Sequence, residues 1–182
     1  MTPEELSVLY EKAIDLTQES NDEKELLEMA NSLSALPSSI KDIPELHTEE
    51  IINALINRRV IVLHEKALKI LESAYDAVQK CNVLSHNNDK KYYENGKRLI
   101  EDYTIVKNAV EELEPVIENI LNEKAQHNAR NVLSVLKGQM QILHGLHLEK
   151  ERKMKGKCLF CGGDFKGTFN KVCTNCGKKK SY

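Results

Sequence analysis

The chain has 182 residues, 41% apolar and 30% charged, with 4 prolines and no tryptophan. That is enough for one ordinary domain with a buried core, and it excludes general disorder. The net charge of −2 hides an asymmetry: residues 150–182 carry ten Lys or Arg against two acids, Glu151 and Asp164, a net +8 that leaves −10 on residues 1–149.

In chain order the pattern is helical. Thr2 can cap a first helix, with Pro3 at its first position, Glu4 and Glu5 near the positive end of the dipole, and an apolar stripe of Leu6, Leu9, Tyr10, Ala13 and Ile14. Asn21-Asp22 punctuates, and a second helix follows with Leu26, Leu27, Ala30 and Leu33 on one face. Pro37, Ser38, Ser39 and Pro44 mark a connection, because proline disfavours helix in the residue before it. Thr48 reads as the cap of a long third helix. Its stripe is Ile52, Ile56, Val60, Leu63, Ala67, Ile70, Ala74 and Val78, widened by a second row of Ile51, Leu55, Val62, Leu71 and Tyr75. Ser85 to Asp89 is the next turn. The fourth helix carries Tyr92, Gly96, Leu99, Tyr103, Val106, Val110 and Leu113, a 3.5-residue period that suits a coiled-coil-like seam or antiparallel packing inside a bundle. The fifth runs from Pro115 toward Lys153 on Ile117, Leu121, Ala125, Ala129, Val132, Leu136, Met140 and Leu143. A break is open within Asn119 to Asn131, where Asn, Gln and His weaken helix propensity.

The chain then changes character. Cys158-Leu-Phe-Cys161-Gly is followed by Cys173-Thr-Asn-Cys176-Gly, with the eleven residues Gly162 to Val172 between Cys161 and Cys173. A two-residue gap lets two thiolates on one turn reach the same metal, and the following glycine permits the backbone conformation that aims turn amides at sulfur. Two such turns make a tetrahedral four-sulfur set suited to a single structural Zn²⁺, with no position left for a catalytic water. Between them Phe165, Phe169 and Val172 read as a short hairpin bending near Gly167. A unit this small needs the metal to fold. A redox dithiol would require thioredoxin-like alternation of strands and helices, which is absent.

These residues resemble the zinc ribbon through its paired C-x-x-C-G knuckles, over about 20 of 182 residues. Where such knuckles usually carry a proline after the first cysteine, this chain has Leu159 and Thr174. The resemblance implies a metal-stabilised hairpin and no single activity, since ribbons serve both nucleic-acid and protein-docking proteins. The expected fold is therefore mainly α: a multi-helix antiparallel bundle over residues 1–150, then a basic linker and zinc-ribbon β-hairpin over 151–182.

The tail offers Lys153, Lys155, Lys157, Lys166, Lys171, Lys178, Lys179 and Lys180 as contacts for nucleic-acid phosphates, with Phe160, Phe165, Phe169 and Tyr182 able to stack on bases. The competing reading is that the lysines keep a small module soluble while its phenylalanines form its core. Arginine is scarce there, which argues against sequence-specific readout. His144 and His147 share a helix face without an obvious third ligand, Cys81 reads as a buried thiol, and Arg58 and Arg59 as solvated or paired with acids. No nucleophile–base pair, phosphate loop or paired-carboxylate motif is present, so an enzyme and a small-molecule substrate are not expected. The N-terminus lacks the basic start and apolar stretch of a signal peptide, and the most apolar run, Val60 to Leu63, is far below the ~20 residues of a membrane span. A cytoplasmic address is expected, with a non-catalytic adaptor as the leading function, its helical body binding a protein partner or another copy of itself. The alternative is a nucleic-acid-binding accessory protein that uses the basic ribbon.

Overall fold

The computed structural model describes residues 2–81, 96–168 and 171–180. Six α-helices lie among them: α1 (Pro3–Glu19), α2 (Glu23–Ser34), α3 (Ser38–Lys41), α4 (Thr48–Lys80), α5 (Lys97–Leu113) and α6 (Glu123–Met154). Short 3₁₀ turns at Pro44–Leu46 and Glu114–Asn119 complete the helical part. Two strands follow, β1 (Phe165–Lys166) and β2 (Val172–Cys173), in an antiparallel pair. The mainly helical fold with a C-terminal hairpin is as expected. Among the described residues, no helix is long and apolar enough to cross a membrane.

The molecule divides into two compact units, one of residues up to 71 with 115–128, the other of 72–114 with 129 onward. In the first, Thr2 caps α1 in a reciprocal box with Glu5. Asp22 caps α2 by accepting the amide hydrogens of Lys24 and Glu25, which holds its carboxyl below the usual carboxylate range. The core joins Tyr10, Ala13 and Leu16 of α1 to Leu26, Met29, Ala30 and Leu33 of α2 and to Leu55 and Val62 of α4. Leu26 and Leu33 lie one heptad apart and are fully buried, so truncating either to alanine costs about 2–5 kcal/mol.

Several expectations change here for identifiable reasons. Thr48 does not cap α4: the amide of Ile51 bonds to the carbonyl of His47, whose φ is 47°, so His47 precedes the helix. The Thr48 hydroxyl instead turns inward to a 2.6 Å hydrogen bond with the Tyr10 hydroxyl. On α4 buried positions come from both expected rows, Leu55, Val62 and Leu71 from the second and Ala67 and Ala74 from the first, whereas Ile56 and Val60 of the first and Tyr75 of the second are 44%, 37% and 41% exposed. Among the described residues Arg58 pairs with no acid; it donates to the Ser20 carbonyl and the Asn21 side chain, clasping the turn between α1 and α2. The last expected helix is broken inside the anticipated range. Pro115 opens a 3₁₀ turn, and the Asn122 side chain then starts α6 by accepting the Ala125 amide. At the break Leu121 donates its amide to His64 Nδ1 and leaves its side chain 58% exposed, while Ile120 is buried in its place.

In the second unit Leu99, Val106, Val110 and Leu113 of α5 are buried, as are Ala129, Val132, Leu136 and Leu143 of α6. The 3.5-period seam therefore begins at Leu99; Gly96 stands before the helix with φ 67°, and Tyr92 and the turn at Ser85 to Asp89 lie outside the described residues. Two polar side chains share this interior. Asp102 is 1% exposed and forms an ion pair with Arg98, its Oδ1 3.0 Å from Nε. Gln139 is 1% exposed with neither amide atom hydrogen-bonded among the described residues.

Candidate metal centre

The end of α6 sets the stage. Gly156, with φ 64°, terminates the helix in a Schellman motif: its amide bonds to the Lys153 carbonyl at 3.1 Å, and the Lys157 amide to the Arg152 carbonyl at 2.8 Å. Residues 151–154 of the expected linker thus form the last turn of a helix, and only three residues separate Met154 from Cys158.

The two C-x-x-C-G segments fold into the same turn twice. In the first, the Cys158 amide bonds to the Gly163 carbonyl at 2.9 Å and the Gly162 amide to the Cys158 carbonyl at 2.8 Å. In the second, Cys173 bonds to the Lys178 carbonyl at 2.9 Å and Gly177 back to Cys173 at 3.0 Å. Gly162 and Gly177 hold φ of 75° and 69°, a left-handed conformation in which a side chain would be strained. The second glycine of the first turn has a different duty. A methyl group on Gly163 would come within 2.9 Å of the Asn175 side chain, so any larger residue there would force that side chain of the second turn to move.

The hairpin brings the turns together. Phe165 pairs with Cys173 and Lys166 with Val172, Gly167 follows β1 directly with φ 105°, and a further bridge joins Val172 to Lys179. Thr174 ties the second turn to the strand entry through its amide and its hydroxyl, both donating to the Asp164 carbonyl.

The four sulfurs of Cys158, Cys161, Cys173 and Cys176 then all lie within 4.8 Å of one another. Cys158 and Cys176 are 3.6 Å apart, Cys161 and Cys173 3.3 Å. A disulfide needs about 2.05 Å, so these are not bonded pairs. A tetrahedron with metal–sulfur bonds of about 2.3 Å has edges of about 3.8 Å, close to what is observed. The four cysteines can therefore hold one metal ion.

The electrostatics fit a cation as well. Amide hydrogens of Cys161 and Phe160 point at Cys158 Sγ and lower its pKa. At Cys173 burial opposes ionisation, but the amides of Cys176 and Asn175 and the neighbouring thiols outweigh it and bring the pKa to about 6. Cys161 goes the other way: the Gly163 amide favours its thiolate, yet the crowding thiols of Cys173 and Cys176 and desolvation push it up to about 12. A cluster that welcomes its first negative charges and resists the later ones is completed by a bound cation.

One side chain outside the four ligands ties the site to the helix. Arg152 Nη1 donates to the carbonyls of Leu159 at 3.0 Å and Phe160 at 3.1 Å, the two residues between the first pair of ligands. Its guanidinium also packs on Gly162, where a methyl would meet Nε at 3.2 Å. Sequence reasoning counted Arg152 only as one more positive charge. Its place six residues before Cys158, at a helix end, was the available signal.

The lysines divide. Lys153, Lys157, Lys179 and Lys180 line a cleft of about 130 Å³ with Leu159, Phe160 and Phe165, between the last turn of α6 and the ribbon. Lys157 is paired with Asp164 Oδ1 at 2.6 Å, and Lys155 with Glu151 one helical turn back. Lys178 sits 3.4 Å over the Phe160 ring and Lys180 5.6 Å from the Phe165 ring, so both phenylalanines make cation–π contacts. Lys166 and Lys171 do not line the cleft, and Phe169 and Tyr182 lie outside the described residues. Phe160 is 62% exposed, which removes it from any ribbon core. His144 and His147 are exposed, with the His144 ring 6.2 Å from that of Tyr103, and they join no group of metal-binding side chains among the described residues. Cys81 is buried, and burial first, then the neighbouring Asp102 carboxylate, pushes its thiol up to about 11.

Comparison with protein-family models, with curated proteins and with solved structures finds no match to this chain.

Proposed function

We propose that this chain is a non-catalytic, zinc-binding interaction protein of the cytoplasm. One structural Zn²⁺ is held by Cys158, Cys161, Cys173 and Cys176, and the helical body engages a protein partner, including a second copy of itself. The observation that carries the reading is the closed four-sulfur set: protein thiolates fill the whole tetrahedron, so no coordination position remains for substrate or water. The donor set supports zinc, four soft thiolates in tetrahedral array in a compartment that keeps cysteines reduced, with iron the competing occupant of the same set.

The body's share rests on a different surface from the seam of α5, whose leucines and valines are used inside the chain. On α6, Val135, Gly138, Ile142 and Gly145 follow at steps of three and four residues. Val135 and Ile142 are 39% and 47% exposed, and the space beside both glycines is open. Apolar and small residues at that spacing suit close approach of another helix. The test is to measure metal content and mass in solution on the purified protein. One zinc per chain and an assembly that Ile142→Lys dissociates support the proposal. A metal-free sample with a rigid C-terminus, or iron in place of zinc, removes the metal assignment. A strict monomer that captures no protein removes the adaptor.

A second reading, in which the ribbon meets nucleic acid, is favoured by one observation: four lysines and an exposed phenylalanine converge on the same cleft. A salt-titrated binding assay separates the two, since phosphate contacts weaken steeply as salt rises.

A further inference from the structure

We infer that the cleft between the last turn of α6 and the ribbon is a subsite for single-stranded polynucleotide, taking a backbone phosphate between Lys153 and Lys179 while the adjoining base stacks on Phe160. The inference rests on the nucleic-acid reading and goes further by assigning a place to each part of the nucleotide.

Phe160 is the starting point. It lies between two metal ligands, yet its ring is 62% exposed and contributes little to the ribbon's interior. Its backbone is fixed on both sides: its amide points at Cys158 Sγ and its carbonyl accepts from Arg152. A rigid, exposed aromatic ring can stack on a base with little ordering cost. Lys178 covers one face of the ring at 3.4 Å, so a base would stack on the opposite face, with that positive charge behind the ring.

The lysines supply the backbone contact. Of the four that line the cleft, Lys157 is neutralised by Asp164, and Lys180 is drawn toward Phe165. Lys153 and Lys179 make no ion pair among the described residues, one projecting from the helix and the other from the ribbon. A cleft of about 130 Å³ is small beside the ~300 Å³ or more of a typical small-molecule pocket, which suits a phosphate and leaves the base outside on the ring.

Two features favour nucleic acid over an acidic protein segment. Carboxylates are recognised best by paired arginine donors, and the arginine at this site, Arg152, is turned inward onto two carbonyls. A carboxylate also has no use for a stacking ring, whereas every base has a π-face. Single strands are favoured over duplex because the bases of a duplex are already stacked.

The test uses the full zinc-loaded chain and fluorescent oligothymidylate and oligouridylate of about 15 nucleotides, with a matching duplex and polyglutamate as comparators. Phe160→Ala is expected to weaken single-strand binding about tenfold and to leave duplex binding unchanged, with Phe160→Tyr close to wild type. Lys153→Gln and Lys179→Gln are each expected to reduce the slope of log affinity against log salt by about 0.7. Zinc content measured on every variant identifies any that fail to fold, and Phe160→Leu, which keeps apolar bulk without a π-face, replaces the alanine variant if that one does. Salt-sensitive binding that ignores Phe160 overturns the subsite while leaving a charge-only nucleic-acid reading in place. Binding to polyglutamate as tight as to the oligonucleotides, with the same dependence on Phe160, overturns it in favour of an acidic protein. No binding to any oligonucleotide at low salt removes both the subsite and the reading beneath it.

Discussion

Replacing Arg152 tests whether the metal centre and the helix form one piece. In Arg152→Ala, the carbonyls of Leu159 and Phe160 lose a charged donor that now lies 3.0 and 3.1 Å away. A hydrogen bond to a charged group contributes about 1.5–3 kcal/mol. Here both bonds come from one nitrogen, and the side chain is half-buried, so water recovers part of the loss; about 2 kcal/mol is a reasonable net. Because metal binding and ordering of the ribbon are one equilibrium, that loss appears in metal affinity, about 30-fold at 1.4 kcal/mol per factor of ten. Such an effect lies within the 10–100-fold range found when partners just outside a metal's ligands are removed. The assay is competition for zinc with a chromogenic chelator, read alongside far-ultraviolet circular dichroism. Arg152→Lys, which can reach one carbonyl as a point donor, should fall between. Unchanged helicity with weakened zinc binding is the expected pair of results. A zinc affinity within twofold of wild type in Arg152→Ala would refute the coupling.

Three further predictions concern the helical part. Cys81, with its thiol pushed up to about 11, stays protonated in the folded chain at pH values where the unfolded chain ionises near 9. The folded state then holds the extra proton, so stability falls as pH climbs from about 9 toward 11, by about 1 kcal/mol per unit. Cys81→Ala should lose that part of the pH dependence in urea titrations, and parallel curves for the two proteins would contradict the assignment. The buried amide of Gln139 makes no hydrogen bond among the described residues, so Gln139→Met should stabilise the fold by about 1 kcal/mol, a rise of a few degrees in Tm; a fall in Tm would mean the amide has a partner. Tyr10→Phe leaves the buried Thr48 hydroxyl without its 2.6 Å partner and should cost about 1–2 kcal/mol, while the double change with Thr48→Val recovers part of it. Strict additivity in that cycle would show that the two hydroxyls do not interact.

The local features were the legible ones. The Thr2 cap, the interruption at Asn21-Asp22, the break within Asn119 to Asn131 and the two cysteine turns each involve residues close together in the chain, and hydrogen-bond geometry over that span is dictated by residue type. What sequence reasoning misplaced depends on distant partners. Thr48 has the chemistry of a cap, but Tyr10, 38 residues earlier, takes its hydroxyl. Ile56 and Val60 satisfy the helical period as well as Leu55 and Val62 do; only the position of α2 and α1 against α4 decides which of these four are covered.

The same division holds at the metal centre. Four thiols in two C-x-x-C-G turns were determined by the sequence alone, because each turn builds itself from a two-residue gap and a glycine. That Arg152 locks the first turn to the end of α6, and that Lys153 and Lys179 face one cleft while Lys155 and Lys157 are neutralised, was decided by tertiary structure. A lysine's charge is legible anywhere in a chain. Whether it remains available depends on which acid the fold brings within reach, and that is a property of three-dimensional packing that no spacing rule contains.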